Sequence, residues 1–151
     1  MEKTTNENNY NTNLASEYLI MSLLHRAGKE AYLTIGNKKS ADIIVKTNSG
    51  AICVIEVKGV NKNLDWLIGN SGVLPSAPNK FYALVGYNGK IDDLSAPPKF
   101  YLIPSQLLDQ AGQYKISKNG KTTYLSHKFI RENYSGFINT FKHLDDHLKT
   151  N

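Results

Sequence analysis

The chain has 151 residues, of which 40% are hydrophobic and 21% charged. This size and composition are typical of one globular domain and exclude a fibrous or largely disordered protein. No apolar run approaches the roughly 20 residues that span a bilayer. The only cysteine, Cys53, excludes an intrachain disulfide and a cysteine-based zinc site. The polar start lacks the layout of a secretory signal, so we expect a cytoplasmic protein that does not contact a membrane.

The net charge of +5 is unevenly distributed along the chain. Residues 1–98 carry ten basic and nine acidic side chains, whereas residues 99–151 carry eight and four. A basic excess suits a phosphate backbone as partner, because neutralising phosphates releases condensed counterions. Many proteins without such a partner are equally basic, so the charge alone leaves both interpretations open.

The first part of the chain predicts a helix followed by a strand meander. Residues 1–11 predict a flexible arm and residues 12–151 a single domain. Apolar residues at helical spacing predict a helix from Asn13, as its cap, to Ala27, with Gly28 as the stop. Three runs rich in β-branched residues predict strands: Ala31–Ile35, Ala41–Val45 and Ala51–Val57. The third is apolar on both faces, which predicts a central strand covered by helices on each side.

The second part predicts further strands and short helices. Residues 61–79 predict a loop with at most one helical turn, because Gly and Pro surround a single D-W-L-I cluster. The predicted elements that follow are strands Lys80–Tyr87 and Phe100–Ile103, a short helix from Pro104 and Ser105, a hairpin of Tyr114–Ile116 with Thr122–Leu125, and a helical region from Ser126 to Leu148. The expected fold class is therefore α/β, with a mixed central sheet flanked by helices.

Glu56 and Lys58 are the first candidates for chemistry. They are two residues apart on a strand, so their side chains emerge on the same face of the most apolar segment. A buried carboxylate and a buried ammonium lose their hydration. This costs on the order of several kcal/mol per ion unless a partner or a metal compensates. Either a structural ion pair or a catalytic site explains them.

Asp42 adds a second carboxylate next to Glu56. Adjacent antiparallel strands bring like-facing residues within about 5 Å of each other. Two such carboxylates repel unless a cation lies between them, and hard oxygen ligands suit Mg²⁺. The alternative is that Asp42 caps a turn after Lys38 and Lys39.

Glu17 is a probable further member of the same site by its helical position. It lies on the apolar side of its helix, three residues before Ile20 and seven before Leu24. An inward carboxylate needs a partner, and Glu17 can join the metal site directly or through water. A salt bridge to Lys58 or Arg26 is the structural alternative.

These residues together resemble the PD-(D/E)XK nuclease superfamily over about residues 13–103. The chain shows a helix with an inward Glu, then S-A-D-I-I-V with Asp42, then I-E-V-K-G with Glu56 and Lys58. Ala41 replaces the proline of the family name, a replacement common in the family. The resemblance implies a restriction-endonuclease-like core of order α-β-β-β-α-β.

The resemblance also implies hydrolysis of phosphodiester bonds. Asp42 and Glu56 would bind Mg²⁺, for which Mn²⁺ can substitute, with the Val57 carbonyl and Glu17 as further ligands. Lys58 would orient or deprotonate the attacking water, or neutralise developing charge. The implied enzyme is a DNA endonuclease, and duplex cleavage would favour a homodimer. Two alternatives stay open: a non-catalytic nucleic-acid-binding module of this fold, and a nuclease that cleaves RNA.

Two sets of polar and basic residues are candidates for contacting nucleic acid. Lys38, Lys39 and Ser40 precede Asp42 and could hold a phosphate, or could be solvated loop residues. A second set lies near the hairpin and the last helical region: Lys121, His127, Lys128 and Arg131. These residues could form a basic tract on nucleic acid or an ordinary solvated surface.

Overall fold

The first helix, α1, spans Thr5–Arg26 in the computed structural model. The structure describes residues 5–35, 41–47, 50–69, 72–110 and 114–149, with side chains placed between residues 9 and 147. The helix begins before the expected cap, Asn13, and within residues 1–11, for which the sequence predicted a flexible arm. Thr12 and Ser16 are buried against Gly59 of the sheet, whereas residues 9–11 are exposed. At Thr12, tertiary contact outweighs the weak helix propensity of this Asn-rich segment.

The described residues form eight strands in two sheets. The strands are β1 (Glu30–Leu33), β2 (Ile43–Lys46), β3 (Ile52–Val60), β4 (Trp66–Gly69), β5 (Lys80–Gly86), β6 (Lys99–Pro104), β7 (Lys115–Ile116) and β8 (Thr123–Leu125). The central sheet has the order β1-β2-β3-β5-β6. Only β3 and β5 pair in parallel within it, and the other pairs are antiparallel. The predicted α/β class with a mixed central sheet is confirmed.

Strand β4 occupies the connection between β3 and β5, where the sequence predicted a loop with at most one helical turn. It pairs with β8, and β8 pairs with β7, in a second sheet of three strands. Trp66 and Ile68 are buried while Leu67 is exposed, which is the alternation of a half-buried strand. The prediction was wrong because the surrounding Gly and Pro residues outweighed this short pattern. The order α-β-β-β-α-β therefore has a strand here in place of its second helix.

The remaining helices are α2 (Ser105–Asp109), α3 (His127–Asn133) and α4 (Lys142–Lys149), with a 3₁₀ turn at Ser135–Phe137. Ser126 caps α3 as predicted, since its side chain accepts from the Phe129 N–H. The last helical region is not continuous. Asn139 adopts a φ of 51° and exchanges hydrogen bonds with the Phe100 backbone, which ties the chain to β6 and ends the helical path.

The two faces of the central sheet bury separate cores. Helices α1 and α4 cover one face, through Ile20, Leu24 and Leu144. The small sheet covers the other together with α2 and α3, through Trp66, Leu125, Leu108 and Ile130. Helices were predicted on both faces of the central sheet. On the second face, the strands of the small sheet pack beside the helices. None of the helices in the described ranges is long and apolar enough to cross a membrane.

Candidate active site

Asp42 lies one residue before β2 and is fixed by the backbone of β3. Its N–H donates to the Ile55 carbonyl at 2.9 Å, and its Oδ2 accepts from the Val57 N–H at 2.7 Å. Ile43 pairs with Ile55, so the register brings Asp42 opposite Glu56, as the sequence predicted. Asp42 is only 8% exposed, and its carboxylate contacts the backbone of β3; the turn that it was alternatively expected to cap, after Lys38 and Lys39, lies outside the described residues.

Glu56 lies between two lysines on one face of the sheet. Its Oε1 is 3.0 Å from Lys58 Nζ, and its Oε2 is 2.7 Å from Lys80 Nζ. Lys80 opens β5 opposite Val54, so it is a diagonal neighbour of Glu56 on the adjacent strand. The ion pair expected as the structural alternative is present, and it includes a second cation.

Lys80 is a site residue that sequence reasoning missed. Only 9% of its side chain is exposed, and its Nζ lies 5.3 Å from the centre of the Tyr82 ring. Glu56 compensates for the burial of this ammonium. Without a partner, its desolvation penalty would be on the order of several kcal/mol. Burial, followed by the charges of Glu56 and Asp109, raises the pKa of Tyr82. The Tyr82 hydroxyl is therefore neutral and donates to the Pro75 carbonyl at 2.6 Å.

A pocket of about 400 Å³ opens beside Asp42 and the end of β3, and we call it the Asp42 pocket. Glu17 from α1, Asp42 and Lys58 line it together with Val57. Glu56 does not line the pocket, but it forms an ion pair with Lys58, which does. Three of the four residues proposed for catalysis thus meet in one cavity, and the fourth is one ion pair away.

Asp65 also lines the Asp42 pocket, although it was not among the predicted site residues. Its Oδ1 accepts the His127 N–H at 2.9 Å, which fixes the carboxylate at the start of α3. The available signal was the D-W-L-I cluster, in which an acid directly precedes a buried strand. A site role for Asp65 depends on where β4 packs, and that is visible only in three dimensions.

The oxygen donors of the Asp42 pocket fit the chemistry of Mg²⁺. Glu17, Asp42 and Asp65 would offer hard carboxylate ligands, and Val57 also lines the pocket. Within the described ranges, no three His, Cys, Asp or Glu side chains form a preassembled metal cluster. Mg²⁺ keeps several waters and uses one or two carboxylates plus substrate phosphate, so it does not require such a cluster.

The residues predicted to contact nucleic acid fall in different places. Lys38, Lys39 and Ser40 lie outside the described residues. Lys121 and Lys128 are exposed, near the β7–β8 turn and on α3. Arg131 lines a separate groove between α3 and the central sheet. Trp66, the only tryptophan of the chain, is fully buried and donates its indole N–H to the Val85 carbonyl at 3.0 Å.

Comparisons with known proteins add little to this geometry. No model of a known protein family matches the chain, and no curated protein resembles it significantly. One similar solved structure is that of a bacterial homing endonuclease, with 14% identity and a TM-score of 0.45 over 67% of this chain and 68% of that one. This weak similarity assigns no role to any residue.

Proposed function

We propose that the chain is a metal-dependent nuclease that hydrolyses phosphodiester bonds, with DNA as its substrate. The observation that carries the proposal is the meeting of Glu17, Asp42 and Lys58 in one pocket, with Glu56 ion-paired to Lys58. A concave site that gathers ionic groups from distant parts of the sequence is the usual form of an active site. A mixture of carboxylates and one ammonium suits a reaction at a phosphate better than binding of an apolar ligand.

Each residue has a defined task in this proposal. Asp42 and Glu17 would hold Mg²⁺, and the Val57 N–H keeps the Asp42 carboxylate in place. The bound ion would polarise the scissile phosphate and acidify a water. Lys58, held 3.0 Å from Glu56 Oε1, would stabilise the negative charge that develops on the phosphate.

A second candidate function is a nucleic-acid-binding module of this fold without catalysis. One observation favours it: both carboxylate oxygens of Glu56 are paired with lysines. These two ammonium groups already balance the charge of Glu56, so its carboxylate has less need of a metal ion. Metal binding and cleavage therefore separate the two candidates.

The test is cleavage of supercoiled plasmid, single-stranded DNA and RNA in Mg²⁺ or Mn²⁺. Wild type is compared with Glu56→Gln and Lys58→Met, and with Lys46→Met as a control, since Lys46 is an exposed strand lysine at the other end of β2. We expect wild type and the control to cut DNA while both site variants fold but cut at least about 100-fold more slowly. Preferential cleavage of RNA would change the substrate class. Absence of cleavage, with no metal binding by calorimetry, would favour the binding module.

Duplex cleavage adds an expectation about assembly. One site cuts one strand, so a two-fold homodimer would cut both. Sedimentation of the protein with and without duplex DNA measures this directly, and a 1:1 complex at all concentrations would exclude the dimer.

A further inference from the structure

We propose that a second concave surface, the α3 groove, binds the phosphodiester backbone of the substrate beside the cleaved bond. This groove lies between α3 and the ends of β5 and β6 and has a volume of about 670 Å³. The inference rests on the proposed nuclease function and names where the substrate strand lies. Its recognition elements are Lys90, Lys99 and Arg131.

The charge of the α3 groove suits a polyanion. Lys90, Lys99 and Arg131 are exposed, and no Asp or Glu belongs to the lining of the groove among the described residues. Burial raises the pKa of Tyr101, and the charge of Arg131 opposes this shift; both residues line the groove. Cations without compensating carboxylates attract phosphates and release counterions when they bind them.

One wall of the groove is a fixed turn. Asn88 and Gly89 have φ values of 54° and 75°, and the Lys90 N–H donates to the Tyr87 carbonyl at 2.9 Å. These are the features of a two-residue Asn-Gly turn. The Asn63 side-chain amide donates to Asn88 Oδ1 at 3.0 Å. Lys90 is therefore presented on a backbone that needs little ordering when a ligand binds.

The other wall is tied to the start of β6. Tyr101 forms an isolated antiparallel bridge with Ile138. The Asn139 N–H donates to the Phe100 carbonyl at 2.8 Å, and the Phe100 N–H donates to Asn139 Oδ1 at 3.0 Å. Lys99 directly precedes this double contact, so its backbone is also held in place.

The groove adjoins the Asp42 pocket through one short segment of the chain. Asn63 and Trp66 line the groove, whereas Leu64, Asp65 and Leu67 line the pocket. Residues 63–67 thus form the shared border of the two cavities. A strand that crosses this border can place phosphates in the groove and one phosphate in the pocket.

The experiment measures binding without catalysis. Fluorescence anisotropy of labelled single-stranded and duplex oligonucleotides is recorded in EDTA over a range of salt concentrations. Wild type is compared with the double variant Lys99→Gln/Arg131→Gln. The matched control is Lys46→Gln/Lys115→Gln, which removes the same charge from exposed strand positions outside the groove lining.

We expect the groove variant to bind more weakly than the control variant. If each cation neutralises one phosphate, the slope of log affinity against log salt should fall by about 1.4 for a single strand and about 1.8 for a duplex. The stronger of the two wild-type affinities identifies the form of the substrate. Equal effects of the two variants, or no binding by wild type, would overturn the inference.

Failure of the nuclease proposal is distinguishable from failure of this one. If wild type cuts nothing but only the groove variant loses binding, the nuclease proposal fails and the groove stands. If wild type cuts DNA but the groove variant binds like the control, the groove fails and the nuclease proposal stands.

Discussion

The two neighbouring cavities differ in the sign of the charge that lines them. Glu17, Asp42 and Asp65 line the Asp42 pocket with one ammonium, Lys58, whereas the α3 groove carries cations without a carboxylate. Carboxylates repel a phosphate unless a cation lies between them, but the groove attracts it unaided. Binding and chemistry should therefore separate: we expect DNA to bind through the groove without metal, and cleavage to require metal in the pocket.

The largest effect should come from removing the charge of Glu56. Glu56→Gln keeps one oxygen that can accept from one of the two lysines, but it removes the carboxylate whose Oε1 contacts Lys58. We expect the cleavage rate to fall by roughly 10²–10³-fold, as for loss of a preorganised electrostatic contact. DNA affinity in EDTA should not change. A variant that cuts at the wild-type rate would show that the ion pair beside the pocket is only structural.

Removing the charge of Lys80 should lower the free energy of unfolding. Lys80→Met leaves Glu56 with one of its two cations, and breaking a buried pair costs about 3 kcal/mol. Urea denaturation measures this free energy of unfolding. The double variant Lys80→Met/Glu56→Gln should lose less than the sum of the single variants, because the two side chains interact directly. Strict additivity would contradict their pairing.

A smaller effect should follow from a substitution that pushes α1 away from β3. A methyl group at Gly59 would collide with the Ser16 side chain and the Thr12 carbonyl, so Gly59→Ala should destabilise the protein by about 1–3 kcal/mol. Because Glu17 follows Ser16, cleavage should fall as well. Gly69→Ala is the control, since nothing lies within 4 Å of its added methyl group. Equal melting temperatures for the two variants would refute the close approach.

The smallest effect should be a pH dependence located at the groove. Burial, followed by the charge of Arg131, lowers the pKa of His127 against the opposing effects of Leu64 and Asp65. His127 therefore binds a proton more readily in the unfolded chain than in the folded one. The stability that depends on a neutral His127 is present above the ordinary histidine pKa of about 6.5 and is lost as the pH falls below it.

His127→Phe isolates this contribution. The His127 ring stacks on Trp66 with centroids 4.7 Å apart, and phenylalanine can keep that stacking without titrating. Urea denaturation between pH 7 and pH 5 should show a smaller loss of stability for the variant than for wild type. Parallel curves would mean that His127 titrates normally.

The central part of the candidate site could be predicted from local patterns. Glu56 and Lys58 are conspicuous because they are charged residues at period two within an apolar strand. Asp42 followed from the short turn between neighbouring strands, and the observed register agrees. Such residues are found because neighbours in sequence are also neighbours in the sheet.

The rest could not be predicted because it depends on sheet order and long-range packing. Lys80 meets Glu56 only because β5 pairs with β3 in parallel, and no local pattern specifies that pairing. The α3 groove likewise joins Lys90 from the turn after β5, Lys99 from the start of β6 and Arg131 from α3. Strand β4 was missed for a different reason, since its four residues are too short a pattern among many Gly and Pro residues.

The most direct test of the account is the rate of plasmid cleavage by Asp42→Asn in Mg²⁺ at saturating protein. Asparagine keeps an oxygen that can accept from the Val57 N–H, so the fold and DNA binding in EDTA should persist. It lacks the negative charge that would hold the metal. We predict that wild type nicks the plasmid and that the variant cuts at least about 100-fold more slowly. Cleavage by Asp42→Asn at the wild-type rate would contradict the assignment of this pocket as the active site.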